Sequence, residues 1–288
     1  MKSSLKPRAF LKWAGGKASL ASLICEHLPE GRTLVEPFVG AGSIFLRSQY
    51  ERYVLNDINP DLINLFLCVQ RDVDSYIESV RPYFDGSCNN PDSYYAIRNE
   101  FNQTRDVYTR SVLFLYLNRF GYNGLCRYNS SGGYNVPFGR YVKPYFPEKE
   151  LMYFAEKSQK ATFTCLGFEA IFDHVRALHD PSQIVYCDPP YAPISKTASF
   201  TTYAKGGFQL EQQQTLADVS KSLAKEHGIS VYISNHDTDF TRDIYTDAEV
   251  LNFKVARNIS QNKANRKKAG ELLAIYTPEN QTNSEDTA

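Results

Sequence analysis

The stretch Ile184-Val185-Tyr186-Cys187-Asp188-Pro189-Pro190-Tyr191 sets a carboxylate, a stiff proline pair and an aromatic ring directly behind a short apolar run. Such a run, closed by two prolines, predicts a buried strand that stops abruptly. Consecutive prolines can neither donate to a sheet ladder nor enter a helix interior, so the chain must leave the strand rigid and extended. Ligands of open α/β sheets sit just beyond the carboxyl ends of strands. Asp188, the Pro189 carbonyl and the Tyr191 ring are therefore candidate catalytic groups.

A second constellation lies upstream. Thr33 to Leu46 reads as strand, glycine-rich turn and helix start, with Phe38, Gly40 and Gly42 in the turn. Glycines let backbone approach a ligand closely, and a helix start offers unpaired N–H groups. The next strand, Tyr53 to Asn56, ends in Asp57, seventeen residues after Gly40. An acid at that distance is placed to accept from ribose hydroxyls. A plain strand-turn-helix with a surface acid is the simpler reading of this turn taken alone. Gly15-Gly16-Lys17 invites comparison with a nucleoside-triphosphate loop, but Leu11 stands where the first glycine is needed and Ala18 follows the lysine, so that spacing fails.

The positioning elements follow from periodicity. Helices are expected at 18–27, 62–80, 94–101, 107–118, 148–159 and 208–224, the last capped ahead by Gly206-Gly207. Strands are expected at 162–165, 184–187, 229–237, 248–255 and 271–276, besides the two above. Between 121 and 141, Asn-Gly and Ser-Gly-Gly turn signals predict a projecting hairpin. The layout is an α/β sheet domain, 1–59 plus 148–276, interrupted by a mainly helical insertion, 60–147, with a polar and flexible tail at 277–288.

The chain has 288 residues and no net charge, yet its bases are clustered. Six Lys or Arg face one acid between Arg105 and Lys143, and six more occupy Lys254 to Lys268 with no acid. Six tyrosines fall between Tyr116 and Tyr145. Solvated faces or a Tyr-rich protein-binding loop would explain either feature singly; together they favour a nucleic-acid partner. The six cysteines form no Cys-x-x-Cys pair and the five histidines no ligand spacing. This argues for reduced thiols in a cytoplasmic protein and against a metal site. No apolar run approaches a membrane span, and the N-terminus lacks a signal-peptide core.

Phe10 to Lys17, Val35 to Leu46, Asp57 to Asn59, Asn118 to Phe146, Asp188 to Tyr191 and Ser234 to Asp237 together resemble the Dam-type DNA adenine-N6 methyltransferases. Asp-Pro-Pro-Tyr alone says only amino-group methylation, leaving cytosine N4, RNA or a glutamine amide open; a DNA-binding module with a dead site is the non-enzymatic alternative. The order of motifs and the hairpin are more specific. The resemblance implies a Rossmann-like sheet with a recognition insert, and S-adenosylmethionine as donor without a metal. It implies that Trp13, Lys17, Phe38, Gly40, Asp57, Phe168 and Asp188 bind the donor, with Asp57 on its ribose and Phe168 against its adenine. Asp188, Pro189 and Tyr191 would act on a base flipped from GATC in double-stranded DNA. Lys12, Leu125, Arg127 and Pro137 would read bases, Tyr122 would enter the stack, and Asn123, Arg140 and Tyr141 would hold phosphates, with Arg119 a further candidate. A monomer, associated with the nucleoid through DNA, is expected. Service in mismatch repair and replication control, as in the family, competes with a restriction or phage role.

Overall fold

The computed structural model describes residues 8–192, 208–254 and 270–278. Strands β1 (Thr33–Glu36), β2 (Arg52–Asn56), β3 (Ala161–Thr164), β4 (Gln183–Cys187), β5 (Ser230–His236), β6 (Glu249–Lys254) and β7 (Gly270–Tyr276) form a seven-stranded sheet in the order β3-β2-β1-β4-β5-β7-β6. The expected α/β class is the one observed. The chain splits into two compact units. Among the described residues, one comprises 8–29 and Val39–Leu166, and the other Glu30–Phe38, 167–192, 208–254 and 270–278.

The first unit carries helices α1 (Ala21–His27), α2 (Ser43–Arg47), α3 (Pro60–Arg71), α4 (Val73–Val80), α5 (Pro91–Gln103), α6 (Val107–Phe120) and α7 (Glu148–Ser158), with β2 and β3 paired in parallel. The helix expected over 62–80 is two helices. Asp72 is extended (φ −157°, ψ 90°) and caps α4 by accepting from the Ser75 N–H at 3.0 Å. A short side-chain acceptor at an N-cap satisfies a donor that a continuous helix would have bonded internally. In α6 every residue from Ser111 to Phe120 is buried. A helix stretch buried all round, with Asn118 and Arg119 tucked in by hydrogen bonds, belongs inside the unit, and α3 and α5 pack on it.

Phe154, on α7, is 1% exposed, and its ring centroid lies 5.0 Å from Phe10, 5.7 Å from Phe45, 4.7 Å from Phe66 and 6.0 Å from Phe163. One ring thus packs the N-terminal motif, the helix after the glycine turn and the strand pair into a single apolar cluster.

In the second unit β1, β4 and β5 run parallel, with Val35 opposite Val185 and Cys187 opposite Ile233, while β7 lies antiparallel between β5 and β6. Every residue of β1 and β4 is buried, as parallel strands covered on both faces require. From β1 the strand order proceeds one way and from β4 the other. The two therefore flank the point where connections reverse, the usual ligand position of such sheets. Asp188 follows β4 there.

Helices α8 (Phe168–Ala177), α9 (Leu210–His227) and α10 (Asp239–Ile244) complete this unit. Neither α8 nor α10 was anticipated. The N-cap of α9 is Gln209; the expected Gly206-Gly207 cap lies outside the described residues, as do 255–268 of the basic run and 279–288 of the tail. All six cysteines are free thiols. Among the described residues no helix is long and apolar enough to cross a membrane.

Phe154→Ala should lower stability by about 4 kcal/mol, the usual cost of emptying a buried ring site. A urea midpoint unchanged from the parent chain would show that the cluster does not hold this unit together.

Candidate active site and nucleic-acid interface

In the first unit Asp57 closes β2. Its carboxylate accepts the Gly40 N–H at 3.1 Å and the Asn59 N–H at 2.9 Å. Burial pushes its pKa from 3.8 up to about 6, and the two N–H donors oppose that rise. The residue keeps some surface, so the carboxylate is enclosed by protein yet reachable. Gly40 (φ +48°) cannot carry a side chain: a Cβ would lie 2.9 Å from the Trp13 indole nitrogen. Gly42 (φ +72°) opens α2. Trp13, Gly40 and Asp57 therefore converge, with the indole packed directly on the Gly40 backbone and the Gly40 N–H aimed at Asp57. Lys17 is buried and donates to the Gly15 carbonyl at 2.8 Å, which folds the Gly-Gly turn back on itself.

The predicted hairpin is an antiparallel excursion held by isolated bridges, Gly121 with Phe138 and Tyr128 with Tyr134, in place of continuous strands. Its neck is bonded by Tyr122 N–H to the Pro137 carbonyl at 2.8 Å. Asn123 (φ 53°) and Gly124 (φ 61°) turn left-handed in succession. A Cβ on Gly124 would fall 2.1 Å from that of Lys12, so glycine is obligatory there. The Asn123 N–H donates to the Tyr141 hydroxyl at 2.9 Å, and the Lys12 ammonium sits 3.6 Å from the centre of the Tyr141 ring. Lys12 also donates to the Arg119 carbonyl at 3.2 Å. Burial first, then the charge of Arg119, lowers its pKa to about 8. Backbone strain at Asn123 is thus offset by a tyrosine hydroxyl and a cation over its ring.

Tyr122 stands 44% exposed on this rigid turn. Arg127, Pro137 and Arg140 are exposed and Leu125 is half-buried. Asn135 aligns Arg127 by accepting from its Nε at 2.8 Å. Arg119 is buried and donates to the Tyr145 and Phe10 carbonyls, so its guanidinium ties the segment after the hairpin to the N-terminal motif.

In the second unit Pro189 is buried, while Asp188, Pro190 and Tyr191 keep partial exposure. Two buried amides hold the motif. Gln213 of α9 donates to the Pro190 carbonyl at 2.7 Å and accepts from Asn235 at 2.9 Å. Asn235 accepts the Ala192 N–H at 3.1 Å and donates to the Tyr245 hydroxyl at 3.1 Å. The Tyr191 hydroxyl donates to Glu271 at 3.3 Å, and its ring meets His236 edge-on at 4.6 Å. Phe38 and Phe168 sit together, 5.6 Å apart, with Phe208 5.5 Å from each. Phe168 is 5% exposed, so only a margin of its ring faces outward.

A carboxylate and carbonyls at a strand end, beside an aromatic ring, can accept both hydrogens of a planar amine. Residues 13–259 match the family of D12 class N6 adenine-specific DNA methyltransferases. The chain belongs to that family. It is 56% identical over 273 residues to a DNA adenine methylase of Vibrio cholerae (95% of this chain, 97% of the relative). To those of Escherichia coli K12 and Haemophilus influenzae it is 55% and 53% identical, each over 95% or more of both chains. It is an S-adenosylmethionine-dependent enzyme that methylates adenine N6 in DNA.

The ring at Trp13, the side-chain-free Gly40 and the reachable carboxylate of Asp57 fit a nucleoside-bearing donor. Among the described residues no cluster of three or more His, Cys, Asp or Glu is arranged as a metal site. Gln213 escaped the sequence reading, and Asn235, although inside the Ser234 to Asp237 motif, was given no role there. Gln213 lies in the polar run Glu211 to Gln214, where nothing local separates an inward amide from exposed neighbours. Asn235→Ala would strand the Ala192 N–H, the Gln213 side chain and the Tyr245 hydroxyl. It should cost roughly 3 kcal/mol of stability, since each orphaned buried polar group carries its own desolvation penalty. Methyl transfer should fall at least tenfold while the variant stays folded by circular dichroism; unchanged turnover would show that the clamp does not position Asp188.

Proposed function

We propose that this enzyme methylates adenine N6 within GATC of double-stranded DNA, acting on a base flipped out of the helix. The observation that carries this reading is the exposed Tyr122 on a turn locked by Tyr141 and Lys12, with Arg127 aligned beside it. Phe38, Lys17 and Phe168 join Trp13, Gly40, Asp57 and Asp188 in holding the donor. Leu125, Arg127, Pro137 and Lys12 read bases, and Asn123, Arg140 and Tyr141 hold phosphates. Arginine can bond guanine through both major-groove acceptors, which suits the G·C pairs of that site.

A paired adenine amine is out of reach, so the base must leave the stack, and an aromatic wedge such as Tyr122 can fill the gap. S-adenosylmethionine supplies an electrophilic sulfonium methyl. The free amine is a poor nucleophile because its lone pair is delocalised into the ring. Asp188 and the Pro189 carbonyl each accept one N6 hydrogen, which draws the nitrogen towards tetrahedral geometry and localises that pair. Tyr191 stacks on the base. In-line positioning supplies much of the rate. The methylated, cationic nitrogen then releases its proton readily, and the Asp188 carboxylate can take it.

Residues 60–147 serve as the recognition insert of a catalytic domain made from 1–59 and 148–276, with 277–288 a tail. The enzyme works as a monomer in the cytoplasm, at the nucleoid, in mismatch repair and replication control.

Labelled S-adenosylmethionine incubated with duplexes carrying GATC or one altered base should label only the former, and equal labelling would end the specificity claim. Asp188→Ala should abolish transfer without unfolding the chain. Arg127→Ala should cost about 1–3 kcal/mol of discrimination at one base pair, measured across a duplex panel, and weaken overall binding less.

The raised pKa of Asp57 makes donor binding pH-dependent. A raised carboxyl stabilises the fold below its unfolded value of 3.8 and loses that contribution as pH climbs through about 6, so acidification to pH 5 does not act against folding through this group. It does neutralise the acceptor. Donor affinity by calorimetry should be about tenfold weaker at pH 5 than at pH 7, and Asp57→Asn should flatten the profile. A flat profile in the parent enzyme would remove Asp57 from the ribose.

A further inference from the structure

The turn that follows Asp57 is also the anchor of the hairpin. Asn59 donates its backbone N–H to Asp57 at 2.9 Å, and its side-chain oxygen caps α3 by accepting from Asp61 and Leu62. The amide nitrogen of that same side chain reaches Cys126 Sγ at 3.3 Å. Two residues on, Asp61 is 6% exposed and accepts from the Tyr128 hydroxyl at 2.6 Å, while Arg110 of α6 pairs with its carboxylate. Cys126 and Tyr128 flank Arg127. The residue that faces outward between them is therefore held from both sides by the three-residue cap that starts α3.

We infer that Asn59 and Asp61 are positioning residues that couple donor binding at Asp57 to base reading by Arg127. The inference rests on the roles proposed above for Asp57 and Arg127. A ribose on Asp57 restrains the carboxylate, the Asn59 N–H bonded to it and hence the cap. With the cap restrained, Cys126 and Tyr128 lose freedom before DNA arrives, and duplex binding has less left to order. Linkage makes the effect reciprocal: a bound duplex tightens the donor by the same factor. Neither side chain touches a reacting atom.

The test measures binding of S-adenosylhomocysteine, which cannot turn over, by calorimetry with and without a saturating GATC duplex. The parent enzyme should bind it about fivefold or more tightly when the duplex is present. Asn59→Ser keeps an α3 cap but cannot reach Cys126, and the double variant Cys126→Ala, Tyr128→Phe removes both hairpin anchors. Each should bind either ligand alone within about threefold of the parent while the ratio falls to within about twofold of one. Cys126→Ser, which retains an acceptor, should keep the parent ratio. Tyr128→Phe alone deletes one hydroxyl, so it serves if the double variant does not fold; its ratio should fall partway. A ratio near one in the parent, or parent-like ratios in the variants, would overturn the coupling. Failure of the parent to bind the duplex or S-adenosylhomocysteine at all would instead overturn the proposed function, an outcome separable from two ligands that bind independently.

Discussion

The half-buried carboxylate of Asp57 organises the first unit. Burial disfavours the ionised form of Asp57 and raises its pKa to about 6, and the N–H groups of Gly40 and Asn59 oppose that rise. Those two bonds determine much else. Gly40 must turn left-handed to aim its N–H at Asp57, which in turn brings it so close to Trp13 that no side chain fits. Asn59 must sit at the α3 N-cap, where its side chain satisfies helix donors and extends to the hairpin. An acid kept ionised against its surroundings binds hydroxyl donors well, because the ligand supplies hydrogen bonds that water would otherwise provide.

The second unit solves a different problem, that of presenting a short loop rigidly. Two prolines remove backbone donors and stiffen the exit from β4, which leaves carbonyls in need of partners. Gln213 satisfies the Pro190 carbonyl, and Asn235 takes up the Ala192 N–H. Since Asn235 is fully buried with each of its polar atoms engaged, the loop has one low-energy arrangement. The proposed alignment of two acceptors on one amine depends on such rigidity, because a small misplacement costs rate steeply.

The hairpin shows a third solution. It lacks a regular ladder, so its shape comes from side-chain bonds: Tyr141 to Asn123, Tyr134 to the Leu125 carbonyl, Tyr128 to Asp61 and Asn135 to Arg127. This accounts for much of its tyrosine content. Buried tyrosines supply both apolar area and a polar tip, which lets an irregular segment be fixed without strands. The tyrosines read from the sequence as a surface suited to bases divide on inspection, with Tyr122 outward and Tyr116 and Tyr134 wholly buried.

By itself the sequence determined whatever is governed by neighbours along the chain. Apolar runs, glycine turns and Pro-Pro marked most strands and the ends that carry Asp57 and Asp188, but Phe168 was read as following a strand and instead opens α8. It mis-set what depends on competing local preferences. Asp72 ended one helix and began another, a signal present in the Asp-x-x-Ser pattern at 72–75 but outweighed by apolar periodicity on either side. The six residues of α10 offered too few turns for a clear period, whereas α8 does carry Phe168, Ile171, Phe172 and Val175 at helical spacing, a signal passed over because the strand before it was read as running on towards Phe168. Only the tertiary structure decided which polar side chains turn inward. Gln213 and Asp61 look no different from solvated neighbours in sequence, and Arg119, read there as a phosphate contact, turns inward, because burial of a polar group becomes tolerable only when a distant partner arrives to bond it.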